Sequence, residues 1–85
     1  MNIEDIEKFL DKNSDENSLC VKIFFKKRNP VLGCFIRDKD YTYLKSKNFW
    51  RIITKLHFDE YLKSSDLSLA KIFNGAEFTR LSTSI

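Results

Sequence analysis

A chain of 85 residues makes one domain, and a domain this small buries only about two thirds of the surface its unfolded form exposes, so it needs an economical core or a partner subunit. Eight Phe, three Tyr and one Trp can supply that core, which excludes disorder over most of the chain. Fifteen Lys and Arg against twelve Asp and Glu give a net charge of +3, while a single His, two separated Cys and two Gly match neither a metal-ligand spacing nor a phosphate-cradling loop.

The first segment, "MNIEDIEKFL", is acidic and amphipathic. It has no basic n-region and no apolar h-region, so it does not read as a signal peptide. Ile3, Ile6, Phe9 and Leu10 share one helical face, Asn2 is placed to cap, and Glu4 and Asp5 fall in the first turn, where the helix dipole favours acids. The spacing predicts a helix over 3–12 whose apolar stripe must dock on something, because a helix shorter than ~12–15 residues is marginal alone. Residues 13–18 read as a linker.

"LCVKIFFKK" and "VLGCFIR" predict two strands joined at Arg28-Asn29-Pro30. A turn there sets Ile23 opposite Phe35, Phe25 opposite Gly33, and Cys34 opposite Phe24 rather than Cys20. Both cysteines then read as buried small apolar residues. Gly33 lets the second strand bend sharply. Leu32, Cys34 and Ile36 make that strand apolar on its second face too, so this face should lie under the helix or against a neighbour.

"YTYLK" reads as a third strand and "FWRIITKL" as a fourth, with Trp50 in the core. Residues 57–65 read as a helical turn or an irregular loop. For 66–73 helix and strand compete. The Asn74-Gly75 pair favours a type I′ hairpin between strands at about 67–73 and 76–82. The fold expected is α+β, mainly β: an N-terminal helix, then over 19–82 a five-stranded, strongly bent antiparallel sheet closing as a small SH3/Sm-like barrel.

Residues 1–18 carry a charge balance of −4 and residues 19–85 one of +7. Such segregation fits either a polyanionic partner or an ordinary solvated surface. Lys26, Lys27, Arg28, Arg37, Lys39, Lys45, Lys47 and Arg51 flank the predicted turns. His57, beside Asp59 and Glu60, forms no triad, and no catalytic set is visible, so an enzyme is not expected; no cofactor is implied either. No apolar run approaches the ~18 residues that span a bilayer, and a cytoplasmic protein without a membrane partner is expected.

"LGCFIRDKDYTYL" resembles the first motif of the Sm-like family, which includes the bacterial Hfq proteins: a bent strand with a Gly (here Gly33), a turn with an Asp (here Asp40) and a further strand. Phe73, Asn74, Gly75, Phe78 and Leu81 are similar to its second motif, with Asn74 where Arg is common. The resemblance implies a homo-oligomer that binds single-stranded RNA, with Asp40, Tyr41, Asn74 and Gly75 lining a base pocket. Lys26, Lys27, Arg28, Arg37, Lys39 and Arg51 would then hold the backbone. The competing reading is a module that binds another protein, or itself, through an open sheet edge, without nucleic acid. Tyr41 and Tyr43 could equally be cross-strand packing, and Asn74-Gly75 pure turn chemistry.

Overall fold

The Asn2 side chain accepts a hydrogen bond from the Asp5 amide at 2.8 Å and so starts the first helix, α1 (Ile3–Lys12), over the predicted range. The computed structural model describes residues 1–13 and 20–83; of the predicted linker, residues 14–18 lie outside the described residues. Next come β1 (Cys20–Phe25), β2 (Val31–Phe35), α2 (Tyr41–Ser46), β3 (Phe49–Thr54), α3 (Lys55–Ser64), a 3-10 turn (Leu67–Leu69), β4 (Lys71–Asn74), a second 3-10 turn (Gly75–Glu77) and β5 (Phe78–Ser82).

The five strands form one antiparallel sheet in the order β4-β3-β2-β1-β5. Its two edge strands are consecutive in the chain, and only Gly75–Glu77 separate them. Across a flat sheet the edges would stand about 19 Å apart, four strand spacings of ~4.8 Å. A 3-10 turn rises only ~2 Å per residue and covers less than half of that distance. The sheet must therefore curl until its edges approach each other. It stays open, because no ladder joins β4 to β5.

Gly33 sits in the middle of the sheet, where its neighbours approach closely. It lies between Val21 and Thr54, and a Cβ built there would fall 2.6 Å from Ile52 Cγ2. A bulge between Phe24 and Phe25 bends β1. The radius of gyration, 12.0 Å, matches the ~12 Å of a compact domain of this length.

Inside the curl, Val21, Ile23, Trp50, Ile52, Phe78 and Leu81 form the core, and α1 adds Ile6 and Leu10 from its apolar stripe. Trp50 is buried, as expected from the sequence. The Phe35 and Tyr41 rings meet it edge-on at 5.9 and 6.1 Å. On the outer face the register partners Cys34 and Ile53 are buried as well, and α3 packs on β2 and β3 there. The second apolar face of β2 thus lies under a helix, but under α3 rather than α1.

Five expectations change. The β1–β2 register is four residues away from the predicted one: Ile23 faces Val31, Val21 faces Gly33, and Cys20 faces Cys34. Phe24 and Phe25 are instead spent on the β1–β5 ladder, which lengthens the connection to β2. An even slip keeps every side chain on its predicted face. Second, Cys34 is disulfide-bonded as well as buried, so it is more than an apolar filler.

Third, "YTYLK" is the helix α2. Tyr41 and Leu44 lie three residues apart on one helical face, Leu44 is buried, and Tyr41 packs against Trp50, which overrides the strand preference of Tyr and Thr. Fourth, α3 extends over ten residues where a single turn or loop was expected, and it takes the last two residues of the predicted fourth strand. Fifth, the hairpin at Asn74-Gly75 is absent. β4 pairs with β3, Gly75 has no positive φ, and the Asn74 side chain accepts from the Ala76 amide at 2.9 Å to cap a 3-10 turn. The segment before β4 is partly 3-10, so the strand begins at Lys71 rather than 67.

Candidate nucleic-acid interface

The ten candidate residues divide into separate groups. Arg51 projects from the outer face of β3, where its Nη1 lies 2.5 Å from the Asp40 carboxylate and 4.0 Å from Asp38. The hydrogen bond from Arg51 holds the Asp40 carboxyl below its ordinary pKa, and the same bond raises Arg51. Asp40 stands just before α2 and makes no side-chain cap bond to it.

Tyr41 is half-buried between α2 and the core, and desolvation raises its phenol pKa. Arg37 and Lys45 sit 5.4 and 5.6 Å from its ring centre. Both cations also meet acids of α1: Arg37 lies 3.8 Å from Asp11, and Lys45 donates to Glu7, which raises its pKa. An edge-on ring held between two paired cations offers little open face for a base. Lys39 is exposed and makes no ion pair among the described residues.

Gly75 is buried. A Cβ there would fall 2.6 Å from Trp50 Nε1 and 2.7 Å from Ile6 Cδ1, and closer still to Asn48 Oδ1, so the position belongs to packing. Asn48 is the residue that sequence reasoning missed. It holds φ at 61°, accepts from Trp50 Nε1 at 2.8 Å, donates to the Met1 carbonyl at 3.1 Å, and accepts the Gly75 amide on its own carbonyl at 2.8 Å. Asn tolerates the left-handed region better than most residues, and an Asn closing "SKN" was the available signal.

Lys27, Arg28 and Asn74 do come together. They line a cleft of about 490 Å³ between β4, the end of β1 and the turn that carries Glu77, with Lys71 adding a third cation. Phe25 and Phe73 form its aromatic wall at a centroid distance of 5.8 Å, the bulge in β1 having set Phe25 at this point. The Arg28 guanidinium lies 5.0 Å from the first ring and 5.8 Å from the second. Lys26 is exposed next to Lys27, and its amide donates to the Glu77 carbonyl at 3.0 Å, which ties the end of β1 to the turn between the edge strands.

Lys27, Arg28 and Lys71 make no ion pair among the described residues. The arrangement offers aromatic surface, free cations and an amide around one opening. Among the described residues no cluster of His, Cys, Asp and Glu could hold a metal ion, and no helix is long and apolar enough to cross a membrane. No protein-family model, no curated protein and no solved structure matches this chain.

Proposed function

We propose that the protein binds single-stranded RNA in the cleft lined by Lys27, Arg28 and Lys71, without catalysing a reaction. The observation that carries this reading is the pair Phe25–Phe73 under the Arg28 guanidinium, flanked by Lys27 and Lys71, which pair with no acid among the described residues. A base stacked on an aromatic ring gains about 1–3 kcal/mol, and unpaired cations at the rim hold the phosphates of its neighbours. Arg28 can leave the rings for a phosphate or remain stacked on the incoming base.

We read the curled sheet as a small barrel of the Sm-like kind that assembles with copies of itself. The short link between β4 and β5 supports the roll, and β4 and β5 are edge strands with no further strand beside them among the described residues, open to a neighbour. Gel filtration with light scattering tests the assembly, and a strict monomer at high concentration overturns it.

The test of binding is a salt titration of a fluorescent twelve-residue uridine RNA. Three cations that line the cleft (Lys27, Arg28 and Lys71), with Lys26 beside them, predict a log–log slope near −3, since each releases about 0.7 of a counterion from a single strand. Affinity then falls roughly fifty-fold between 50 and 200 mM salt. A flat slope, or no binding at 50 mM, removes the reading.

A second reading has its own observation. Leu56 and Leu62 on α3 and Ile72 on the edge strand β4 are 86%, 60% and 51% exposed, and no α3 residue is fully buried. These side chains fit a protein partner or a second copy. Leu56→Lys with Leu62→Lys would abolish that association and leave RNA binding in place.

A further inference from the structure

We propose that Glu77 makes the cleft selective for guanine, by accepting hydrogen bonds from the Watson–Crick edge of a base stacked on Phe25 or Phe73. This rests on the cleft being the nucleic-acid site. Glu77 is the single carboxylate among the described residues that line it, beside Lys27, Arg28 and Lys71. Yet Glu77 pairs with none of these cations, or with any other among the described residues. Its backbone is held at the cleft, because its carbonyl accepts the Lys26 amide and its 3-10 turn is capped by Asn74.

A free carboxylate repels phosphate, so in a cationic cleft it suits the part of a ligand that brings donors. An ionised carboxylate only accepts, through two oxygens. Guanine presents two adjacent donors, the N1 hydrogen and the N2 amine, which match those two oxygens. Uracil presents one N–H between two carbonyl oxygens, and these face the carboxylate with like partial charge. Adenine and cytosine each offer an amine next to an acceptor nitrogen, so only one of the two bonds forms. Recognition of unstacked bases by such edges is the usual route to sequence preference in single-stranded RNA.

The experiment compares anisotropy titrations of two labelled RNA hexamers at 50 mM salt: all uridine, and uridine with one central guanosine. The guanosine hexamer is expected to bind about tenfold more tightly, within the range a bidentate base contact provides. Inosine in place of guanosine lacks the N2 amine and should lose most of that gain. In Glu77→Gln both hexamers should bind with equal strength, the all-uridine one at least as tightly as to the wild type, because a charge that repels phosphate has gone. Equal binding by the wild type, or a preference that survives in Glu77→Gln, overturns the assignment while leaving the cleft reading intact. Failure of both hexamers to bind the wild type overturns the cleft reading and this assignment with it.

Discussion

Arg37, Lys45 and Arg51 differ from Lys27, Arg28 and Lys71 in one respect that the sequence does not display. Each of the first three faces a carboxylate: Asp11, Glu7, and Asp40 with Asp38. The second three meet at an open cleft and face none among the described residues, Glu77 included. Net charge is the same commodity in both groups, but only the second keeps its field for a ligand. The acidic N-terminal segment and the basic remainder, which looked like separate blocks, partly cancel where α1 packs beside Arg37 and Lys45.

The largest expected effect breaks both regions at once. Gly75 lies against Trp50, whose ring receives Tyr41 of the paired group, and next to Asn74 on the wall of the cleft. Gly75→Ala forces three close contacts. It should destabilise the protein toward the upper end of the roughly 1–3 kcal/mol that overpacking costs, and weaken RNA binding too. Urea denaturation measures the first effect, and an unchanged midpoint would show that the site has room to spare.

Next in size is the contrast itself. Lys27→Ala with Arg28→Ala should lower RNA affinity about tenfold or more and make the salt slope shallower by about 1.4, two cations at 0.7 each. Its melting temperature should hold, as for most surface substitutions. Arg37→Ala with Lys45→Ala should leave affinity within about twofold, because those charges are already neutralised. Equal losses in the two double variants would erase the distinction.

A smaller effect reads the paired group by pH. Arg51 lowers the pKa of Asp40, so the stability from this pair is present above the unfolded value of about 3.9 and lost as pH falls through the lower folded one. Arg51→Gln should therefore melt below the wild type at pH 6, and the gap should close below about pH 4. A gap that persists into strong acid would exclude the ion pair as its cause. The smallest effect is that of salt on folding. From 50 to 500 mM the melting temperature should move by roughly a degree or two, since exposed pairs are weak and easily screened, while RNA affinity collapses over the same range.

Where local pattern and tertiary packing agreed, the sequence was readable. The bounds of α1 followed from Asn2, two first-turn acids and a four-residue stripe. The faces of β1 and β2, and the burial of Trp50, followed from alternation. The register did not, because nothing local says that Phe24 and Phe25 pair with a strand more than fifty residues away. α2 was misread because Tyr and Thr favour strands in isolation, whereas its position is decided by packing on Trp50 and by Glu7, distant in sequence. Asn-Gly carried a strong hairpin signal, and capping by the Asn74 side chain competes with that turn using the same residue.

The candidate site split along the same line. Lys27, Arg28 and Asn74 could be named, but Phe25, Phe73, Lys71 and Glu77 join them only because the sheet rolls up. The pairing of Arg37, Lys45 and Arg51 with acids is likewise a product of the fold.

The strand order has a consequence for how the molecule is made. During folding β1 must wait for a neighbour more than fifty residues further along, Ile23 for Leu81. Until then its edge is bare and the core lacks Phe78 and Leu81. Contacts this distant are slow to form, so the folding chain carries a sticky, unfinished side until β5 docks. A chain cut short before Phe78 should not merely be less stable; it should clump.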